Sequence, residues 1–379
     1  MHFSFSAPRQ IVFGPGVAGR LPDLVAGLGR RPFIITGAHP DRVAAALGTL
    51  LDSPGGRAEN EPTVDGVRRL TERARAARAD CVVGIGGGSV IDTAKAVAML
   101  VANGTDPLDH AEVIGEGRPI TEASLPVIAV PTTAGTGAEV TANAVVLSPE
   151  HGVKVSLRAI SMVPTIALVD PDLTLSCPPG TTADSGFDAI TQCLEPLVSH
   201  ASTPITDALA LDGLRHADAL RRAFVDGADR RAREEMSLMA LYGGLCLANA
   251  KLGAVHGFAG PLGGMIDAPH GALCGALLGP VVETNLAALR TRDAGNPALD
   301  RYRLAAVSVT GRPDAQAGDL VAWISDTVDL LEVPGLRRLG LDPVRHPEAV
   351  RKGSVSSSMK GNPIVLTEAE LFEVLARAA

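Results

Sequence analysis

The sequence contains few aromatic residues: phenylalanine, tyrosine and tryptophan together make up 3% of its 379 positions. This scarcity argues against base-stacking platforms and against sugar-binding clefts built on aromatic rings. Its five cysteines are odd in number, scattered and set mostly within apolar patterns, which argues against a disulfide framework and against a cysteine-rich zinc cluster. We interpret them as reduced core thiols of a cytoplasmic protein.

The chain also lacks a basic surplus, a signal peptide and a membrane span. A formal net charge of −8 argues against nucleic acid or an anionic membrane as the main partner, because both require basic surface. The segment 1–5 has neither the basic start nor the apolar core of a signal peptide, and no uncharged apolar run reaches membrane-spanning length. A hydrophobic fraction of 46% in 379 residues predicts a soluble globular protein with room for two domains.

Short apolar runs alternate with amphipathic stretches through the first 170 or so residues. We predict strands over 32–36, 81–85, 126–131 and 165–170, and helices over 41–51, 64–79 and 89–103. Strands that alternate with helices indicate an α/β fold with a doubly wound, mostly parallel sheet. Ligands bind such sheets beyond the carboxyl ends of the strands, which here carry small or hydroxylated residues.

After Asp170 the pattern changes to helices alone, with proline and glycine between them. The predicted helices are 184–199, 204–225, 231–251, 271–289, 314–331 and 366–378. We therefore predict a Rossmann-like dinucleotide-binding domain over 1–174 and an all-helical metal and substrate domain over 175–379.

The most informative junction joins the apolar run 81–85 to a helical pattern through Gly86, Gly87, Gly88 and Ser89. Glycines at a strand-to-helix turn let a phosphate approach the backbone N–H groups at the positive end of the helix. Ser89 is predicted to cap this helix and to donate to an anion. The segment departs from G-x-G-x-x-G, so a glycine-rich turn that binds nothing is the alternative.

A second polar element follows the predicted strand 126–131. Thr132, Thr133 and Thr136 could donate to ribose and phosphate oxygens, or could form an ordinary hydroxyl-rich turn.

In the helical half, Asp188 and Gln192 are four residues apart and share one helix face. His256 and His270 lie in separate apolar segments. One carboxylate with two histidines can hold iron or zinc and leave coordination positions free for substrate. The alternative is that both histidines are core residues with satisfied hydrogen bonds.

Several separated motifs together resemble the iron-containing, or group III, alcohol dehydrogenase family. They are GIGGGSVIDTAKAVA, PTTAGTGAEVTANAVV, LVDPDLT, GFDAITQCLEP and AVHGFAGPLGGMIDAPHGALC, in the family's order and spacing. The resemblance runs from about residue 3 to the C-terminus. It implies a Rossmann-like domain, a helical domain, and a cleft that holds NAD(P) and a divalent metal, Fe(II) or Zn(II).

The resemblance also implies roles for individual residues. The implied cofactor-binding residues are Gly37, Gly86, Gly87, Gly88, Ser89, Asp92, Thr132, Thr133, Thr136, Asn143, Lys154 and Leu173. The implied catalytic residues are Asp188, His256 and His270, and with Gln192 they form the implied metal site. The predicted enzyme is a cytoplasmic, homodimeric NAD(P)-dependent alcohol dehydrogenase or carbonyl reductase acting on a small molecule.

Two positions depart from the family pattern. Gln192 stands where most members have a ligand histidine, and Gly260 stands where many have a histidine suited to relay protons. These changes predict weaker metal binding or a changed metal, and a proton route through water or ribose hydroxyls. They leave open a metal-poor enzyme like the maleylacetate reductases, and a dinucleotide-binding protein without catalysis.

A lyase of the dehydroquinate synthase type is a further alternative. Such an enzyme would need several basic residues to hold a phosphate and a carboxylate, and the segments 184–196 and 252–274 contain none. Within the resemblance, Gly37 stands where NAD-specific members carry an aspartate, while His39 and Arg42 follow it. We predict that NADPH is accepted at least as readily as NADH.

Overall fold

The computed structural model describes residues 2–111 and 114–379. The chain divides into two compact units, described here separately. The sheet unit comprises Ser6–Thr133 and Gly137–Ser176, and the helical unit comprises Cys177–Ala379 with Ala134–Thr136 and the first residues of the chain. That two domains meet near residue 174 stays a prediction.

The sheet unit is built on a parallel sheet, as predicted. Its strands are β1 (Gln10–Phe13), β2 (Pro32–Thr36), β3 (Gly55–Arg57), β4 (Cys81–Gly86), β5 (Val127–Pro131), β6 (Asn143–Ser148), β7 (Val153–Arg158) and β8 (Ile166–Val169). Six of them form one sheet in the order β1-β8-β5-β4-β2-β3, in which every pairing is parallel. The other two, β6 and β7, form an antiparallel hairpin that the sequence analysis missed.

The strand order changes direction beside β4. From β2 the chain moves to β3 on one side and then returns to β4 on the other side of β2. Thr36 lies opposite Ile85 in this pair, so Gly37 and the glycine segment after β4 leave the sheet side by side. Such a switch point is where ligands bind in doubly wound sheets.

Helices α1 to α5 belong to the sheet unit. They are α1 (Leu21–Ala26), α2 (Ala44–Leu47), α3 (Val64–Ala76), α4 (Gly88–Asn103) and α5 (Pro107–His110). The helix predicted over 41–51 is wrong as one continuous element. It divides at Gly48, whose φ of 52° is left-handed and is strained for any residue with a Cβ.

Residues 177–379, all of which the structure describes, form helices without a strand. They are α6 (Pro179–Val198), α7 (Pro204–Arg215), α8 (Asp218–Val225), α9 (Arg230–Asn249), α10 (Ala254–Met265), α11 (His270–Arg292), α12 (Ala298–Thr310), α13 (Ala317–Leu330), α14 (His346–Ser354) and α15 (Glu368–Arg377). The helix predicted over 204–225 is in fact two, because the chain turns between α7 and α8 at His216. Helices α10, α12 and α14 were not predicted.

Helix α11 is long and apolar, with 23 residues. By length and composition it could cross a membrane, and so could α9 with α10 if taken as one span bent by 93°. Yet 78% of the apolar window of α11 is buried inside the protein, which is what a core helix requires. The helix packs against α6, α10, α13 and α15 within the helical unit.

One buried acid stands out in the sheet unit. Glu139 is 3% exposed, and burial raises the pKa of its carboxyl to about 7, although the nearby Lys95 acts in the opposite direction. Lys95 is itself fully buried, where its ammonium group pairs with Asp92 at 2.9 Å and donates to Thr141 Oγ1 at 2.9 Å. The α4 helix is therefore joined to the segment around Glu139 by buried polar contacts.

Candidate active site

The glycine segment forms the junction between β4 and α4. Gly86 ends the strand, Gly87 is the N-cap residue of the helix, and Gly88 is its first residue. Because Gly87 has no side chain, it provides no cap for the N–H groups of the first helical turn. This helix start therefore presents backbone donors and the positive end of a 16-residue helix to an anion.

Gly86 and Gly87 differ in how much room the protein leaves for a side chain. A Cβ on Gly86 would lie 2.5 Å from Val90 Cγ2, so packing within the protein excludes it. A Cβ on Gly87 would lie 3.6 Å from the nearest atom, Thr133 Cγ2, which is ordinary contact. The backbone of Gly87 is extended, with φ of −71°, and suits any residue. Nothing described around Gly87 requires a glycine, so packing within the chain does not explain the residue at this position.

Ser89 does not cap the helix, contrary to the prediction. The helix begins before it, and its hydroxyl donates to the Asn60 carbonyl oxygen at 2.6 Å. A cap must precede the helix and accept from its first turn, whereas Ser89 is already inside that turn. Its backbone N–H remains part of the helix start.

The predicted threonines follow β5. The Thr132 N–H donates to the Gly86 carbonyl at 2.9 Å, which fixes this segment beside the glycine loop. Thr133 is half-buried and flanks the space over Gly87, with its hydroxyl oxygen 3.7 Å from where a Cβ would stand. Thr136 is exposed and clusters with the helical unit.

Asp92 has a structural function that the sequence analysis did not foresee. One carboxylate oxygen accepts from the Val145 N–H at 2.9 Å and the other pairs with Lys95 Nζ at 2.9 Å. Asp92 thereby holds the β6–β7 hairpin against α4. Its predicted contact with a cofactor would have to be made in addition to these bonds.

The remaining predicted cofactor residues lie in three places of the sheet unit. Asn143 begins β6, and Lys154 on β7 pairs with Glu61 Oε2 at 2.9 Å. Leu173 lies in the turn after β8 and packs on the sheet core. Gly37 follows β2, and a Cβ there would make ordinary contact with Val90 at 3.6 Å.

In the helical unit the structure brings the three predicted catalytic side chains together. Asp188 lies on α6, His256 on α10 and His270 at the start of α11. Asp188 Oδ1 lies 3.3 Å from His256 Nε2 and 3.8 Å from His270 Nε2. The imidazole rings are 5.4 Å apart between centroids. Asp188 and His256 are buried, whereas the His270 side chain is 41% exposed.

A glycine allows this convergence. Gly271 stands directly after His270, and a Cβ on it would lie 2.0 Å from the Asp184 carbonyl oxygen. Helices α6 and α11 can approach this closely only because residue 271 has no side chain. The close approach brings His270 beside Asp188, one helical turn after Asp184.

Gln192 contacts the cluster through its amide nitrogen. It lies one turn after Asp188, is 3% exposed, and donates from Nε2 to Asp188 Oδ1 at 2.9 Å. Its amide oxygen, Oε1, is buried and has no hydrogen-bond partner. The side chain thus orients the Asp188 carboxylate and keeps an unused acceptor beside it.

Glu195 is a buried acid beside the cluster that was not predicted from the sequence. It is 5% exposed, and its Oε2 lies 2.7 Å from His256 Nδ1. Its Oε1 accepts from the Val255 N–H at 2.7 Å, at the start of α10, whose N-cap Gly253 has no side chain. The signal that could have revealed it is a third acid, seven residues after Asp188, on the same face of the helix.

Two buried carboxylates give the cluster a strong preference for positive charge. Burial lowers the pKa of His256, but its hydrogen bonds with Asp188 and Glu195 outweigh burial and raise that pKa to about 10. Burial raises the pKa of Asp188, yet the hydrogen bond from His256 and the charge of His270 bring it below its usual value. A carboxylate pair in such surroundings is stabilised by a protonated imidazole or by a bound cation.

The donor set fits a divalent metal. Asp188, His256, His270 and Cys274 each offer a ligand atom, and these atoms all lie within 4.8 Å of one another. Imidazole and carboxylate are ligands of iron and zinc alike. The Glu195 carboxylate accepts a hydrogen bond from His256 Nδ1, which leaves Nε2 to face the cluster. A carboxylate bonded to the far ring nitrogen is the usual support of a histidine that binds a metal. Gln192, predicted as a ligand, instead presents its N–H groups to the cluster.

Gly260, which stands where many family members have a histidine suited to relay protons, is exposed to solvent. It lies on α10, and a Cβ there would have no atom within 4 Å.

Comparison with known proteins identifies relatives over the whole chain. Residues 8–171 match the family described as iron-containing alcohol dehydrogenase, and 182–379 match the family described as Fe-containing alcohol dehydrogenase, C-terminal. The chain is similar to a choline dehydrogenase of Bacillus subtilis, with 31% identity over 375 residues that cover 96% of this chain and 92% of that protein.

Solved structures share the fold. A 1,3-propanediol oxidoreductase superposes with a TM-score of 0.91 at 27% identity, over 100% of both chains. A sulfoacetaldehyde reductase from Bifidobacterium kashiwanohense, solved in complex with NAD+, superposes with a TM-score of 0.87 at 27% identity, over 100% of this chain and 99% of that one.

Proposed function

Because the chain belongs to the iron-containing alcohol dehydrogenase family, we propose that it interconverts a small alcohol and its aldehyde or ketone, with NAD(P) and a divalent metal. Family membership confirms the resemblance and makes the chain an alcohol-type oxidoreductase. The reaction proposed is reversible hydride transfer between C4 of the nicotinamide and the carbonyl carbon. The cofactor supplies the reactive hydride, and the protein supplies position and surroundings.

The convergence of Asp188, His256 and His270 is the observation that carries the proposal. Three residues from three helices meet within 4.8 Å, two of them buried, in a family whose name includes iron. A bound divalent metal would supply Lewis-acid polarisation of the carbonyl oxygen. Asp188, His256 and His270 would hold it, while Glu195 fixes the ring of His256 and Gln192 fixes the Asp188 carboxylate.

The glycine segment supports the cofactor assignment. The α4 start offers backbone donors at the switch point of the sheet, and Gly87 leaves space there that no neighbouring atom needs. A relative of the same fold was solved with NAD+. We propose that the pyrophosphate lies over Gly86–Ser89, with Thr132, Thr133 and Thr136 as further donors.

No histidine stands at position 260 to carry the proton between the alcohol and solvent, so the proton needs another route. Gly260 offers no side chain, and the space beside it is open to solvent. His270 is the exposed member of the cluster. We therefore propose that water and the ribose hydroxyls carry the proton between substrate and solvent.

The substrate proposed is small and carries no more than one charge. The segments 184–196 and 252–274 contain no lysine or arginine, so nothing there would hold a phosphate with a carboxylate. The relatives named for choline, 1,3-propanediol and sulfoacetaldehyde act on small molecules of this kind. This composition speaks against the dehydroquinate synthase type of lyase.

A metal-poor reductase is the second candidate. Gln192 presents an N–H group where a ligand is expected, and Gly260 removes a relay histidine. Both observations also suit a nucleotide-binding protein without catalysis.

Metal analysis and a substrate screen distinguish these candidates. Freshly purified protein would be analysed for iron and zinc, and assayed with aldehydes and keto acids using NADH and NADPH. About one metal ion per chain and activity lost in Asp188→Ala would support the proposal. Activity that persists in metal-free protein would favour the metal-poor reductase, and binding of NAD(P) without turnover would favour the non-catalytic protein. Sedimentation analysis would test the proposed homodimer.

A further inference from the structure

Cys274 lies beside the cluster of Asp188, His256 and His270, and the sequence did not single it out as a ligand. It follows His270 by one turn of α11 and is fully buried. Its Sγ lies 3.7 Å from His270 Nε2 and 4.0 Å from Asp188 Oδ1. A sulfur so placed faces two of the three groups proposed to hold the metal.

These separations suit ligands that share one ion. In a tetrahedral zinc site the bonds are about 2.0–2.3 Å, so neighbouring ligand atoms are about 3.3–3.8 Å apart. Four of the separations are 3.3 and 3.8 Å from Asp188 to the two histidines, 3.7 Å from Cys274 to His270, and 4.0 Å from Cys274 to Asp188. The remaining two pairs of ligand atoms also lie within 4.8 Å, so all four atoms are gathered closely enough to surround one ion after side-chain adjustment.

Gln192 is less suited than Cys274 to complete this set. Its Nε2 faces Asp188, and an amide nitrogen has no lone pair available to a metal. Bringing Oε1 to a metal would require the amide to turn and to give up its hydrogen bond to Asp188. In the arrangement observed, Gln192 positions Asp188, whereas Cys274 already directs its sulfur at the cluster.

The other buried cysteines of the helical unit behave differently. Cys193 Sγ donates to the Met239 carbonyl at 3.6 Å, and Cys246 Sγ donates to the Thr206 carbonyl at 3.3 Å. Both are ordinary core thiols with a backbone acceptor. Cys274 instead faces a carboxylate and an imidazole.

We propose that Cys274 is the fourth protein ligand, as a thiolate, and takes the place of the histidine that position 192 lacks. This inference rests on the proposed function, since it concerns the same metal site. On binding, the thiol proton leaves to solvent and the sulfur lone pair forms the bond to the ion. A thiolate softens the ligand set, so we infer a preference for zinc over ferrous iron.

Cobalt(II) is the probe for this inference, because a thiolate bound to it gives a charge-transfer absorption in the near ultraviolet. Metal-free full-length protein, kept reduced, would be titrated with Co(II) and followed by its spectrum. The wild type should bind one equivalent with the thiolate band. Cys274→Ala should lose the band and bind cobalt at least tenfold more weakly. Cys246→Ala, which removes another buried thiol, should keep both band and affinity.

Folding and function are controlled separately. Cys274→Ser preserves the size of the side chain, so it serves if the alanine variant is unstable by thermal unfolding. Cobalt bound without a thiolate band in the wild type, or a band that persists in Cys274→Ala, would overturn the cysteine ligand and leave the proposed function standing. Failure of the wild type to bind cobalt or zinc would overturn the metal site and this inference together.

Discussion

Replacing Gly87 with valine should abolish dinucleotide binding and leave the fold intact. Gly87 is the N-cap residue of α4, its backbone is extended, and a Cβ would find its nearest neighbour at 3.6 Å. A valine therefore fits the chain itself. Its cost to stability is that of a poor N-cap residue, about 1 kcal/mol. Its two methyl groups would occupy the space proposed for the pyrophosphate.

The loss of affinity follows from the contacts that the methyl groups displace. A hydrogen bond from a backbone N–H to a charged oxygen contributes about 1.5–3 kcal/mol. Displacing two such bonds at the start of α4 would cost about 3–6 kcal/mol, which is roughly a hundredfold or greater rise in the dissociation constant. Isothermal titration with NADH and NADPH measures this change directly, and thermal unfolding measures the stability.

Gly86→Ala is the matched comparison. A Cβ there would lie 2.5 Å from Val90 Cγ2, so this smaller substitution should destabilise the protein by about 1–3 kcal/mol through overpacking. The two variants separate a glycine needed by the fold from one needed by a ligand. If the valine variant is folded and binds both cofactors as the wild type does, the pyrophosphate assignment is wrong.

Three further predictions concern the metal, the pH and the cofactor. Gln192→His should retain more metal through dialysis than the wild type, because it would add an imidazole beside Asp188 where Gln192 presents an N–H group; no gain in metal content would show that position 192 does not face the metal. In the folded protein the Glu139 carboxyl has a pKa of about 7, whereas in the unfolded chain it has its ordinary pKa of 4.5. Between these pH values only the unfolded chain loses the proton, so the free energy of unfolding should fall by about 3 kcal/mol as the pH rises from 4.5 to 7. Glu139→Gln should flatten that slope in urea unfolding measured from pH 4.5 to 8, and an unchanged slope would show that another group is responsible. Gly37→Asp should raise KM for NADPH at least tenfold while changing KM for NADH little, since a carboxylate would repel the 2′-phosphate. A preference of the wild type for NADH greater than about a hundredfold, roughly 2.7 kcal/mol, would refute the interpretation of Gly37.

Local pattern was sufficient for the elements that carry the fold. Buried parallel strands such as β4 and β5 are continuous apolar runs, and α3 and α4 follow from helical spacing, so the α/β class could be predicted. Helices α10, α12 and α14 escaped prediction. In α10 several glycines and Pro261 weaken the helical signal, and burial of its apolar side chains stabilises the helix instead. The β6–β7 hairpin is held by cross-strand pairing and by Asp92, which a single segment does not reveal.

The types of residue in the candidate site could be proposed from the sequence, but their partners could not. Asp188, His256 and His270 are recognisable as ligand types at family spacing. The part played by Glu195 depends on the start of α10 lying over the end of α6. Whether Cys274 faces a backbone carbonyl or the Asp188 carboxylate depends on how closely α11 approaches α6, and Gly271 permits that close approach. Spacing along one helix is a local property, whereas contact between helices is decided only when the whole core is packed.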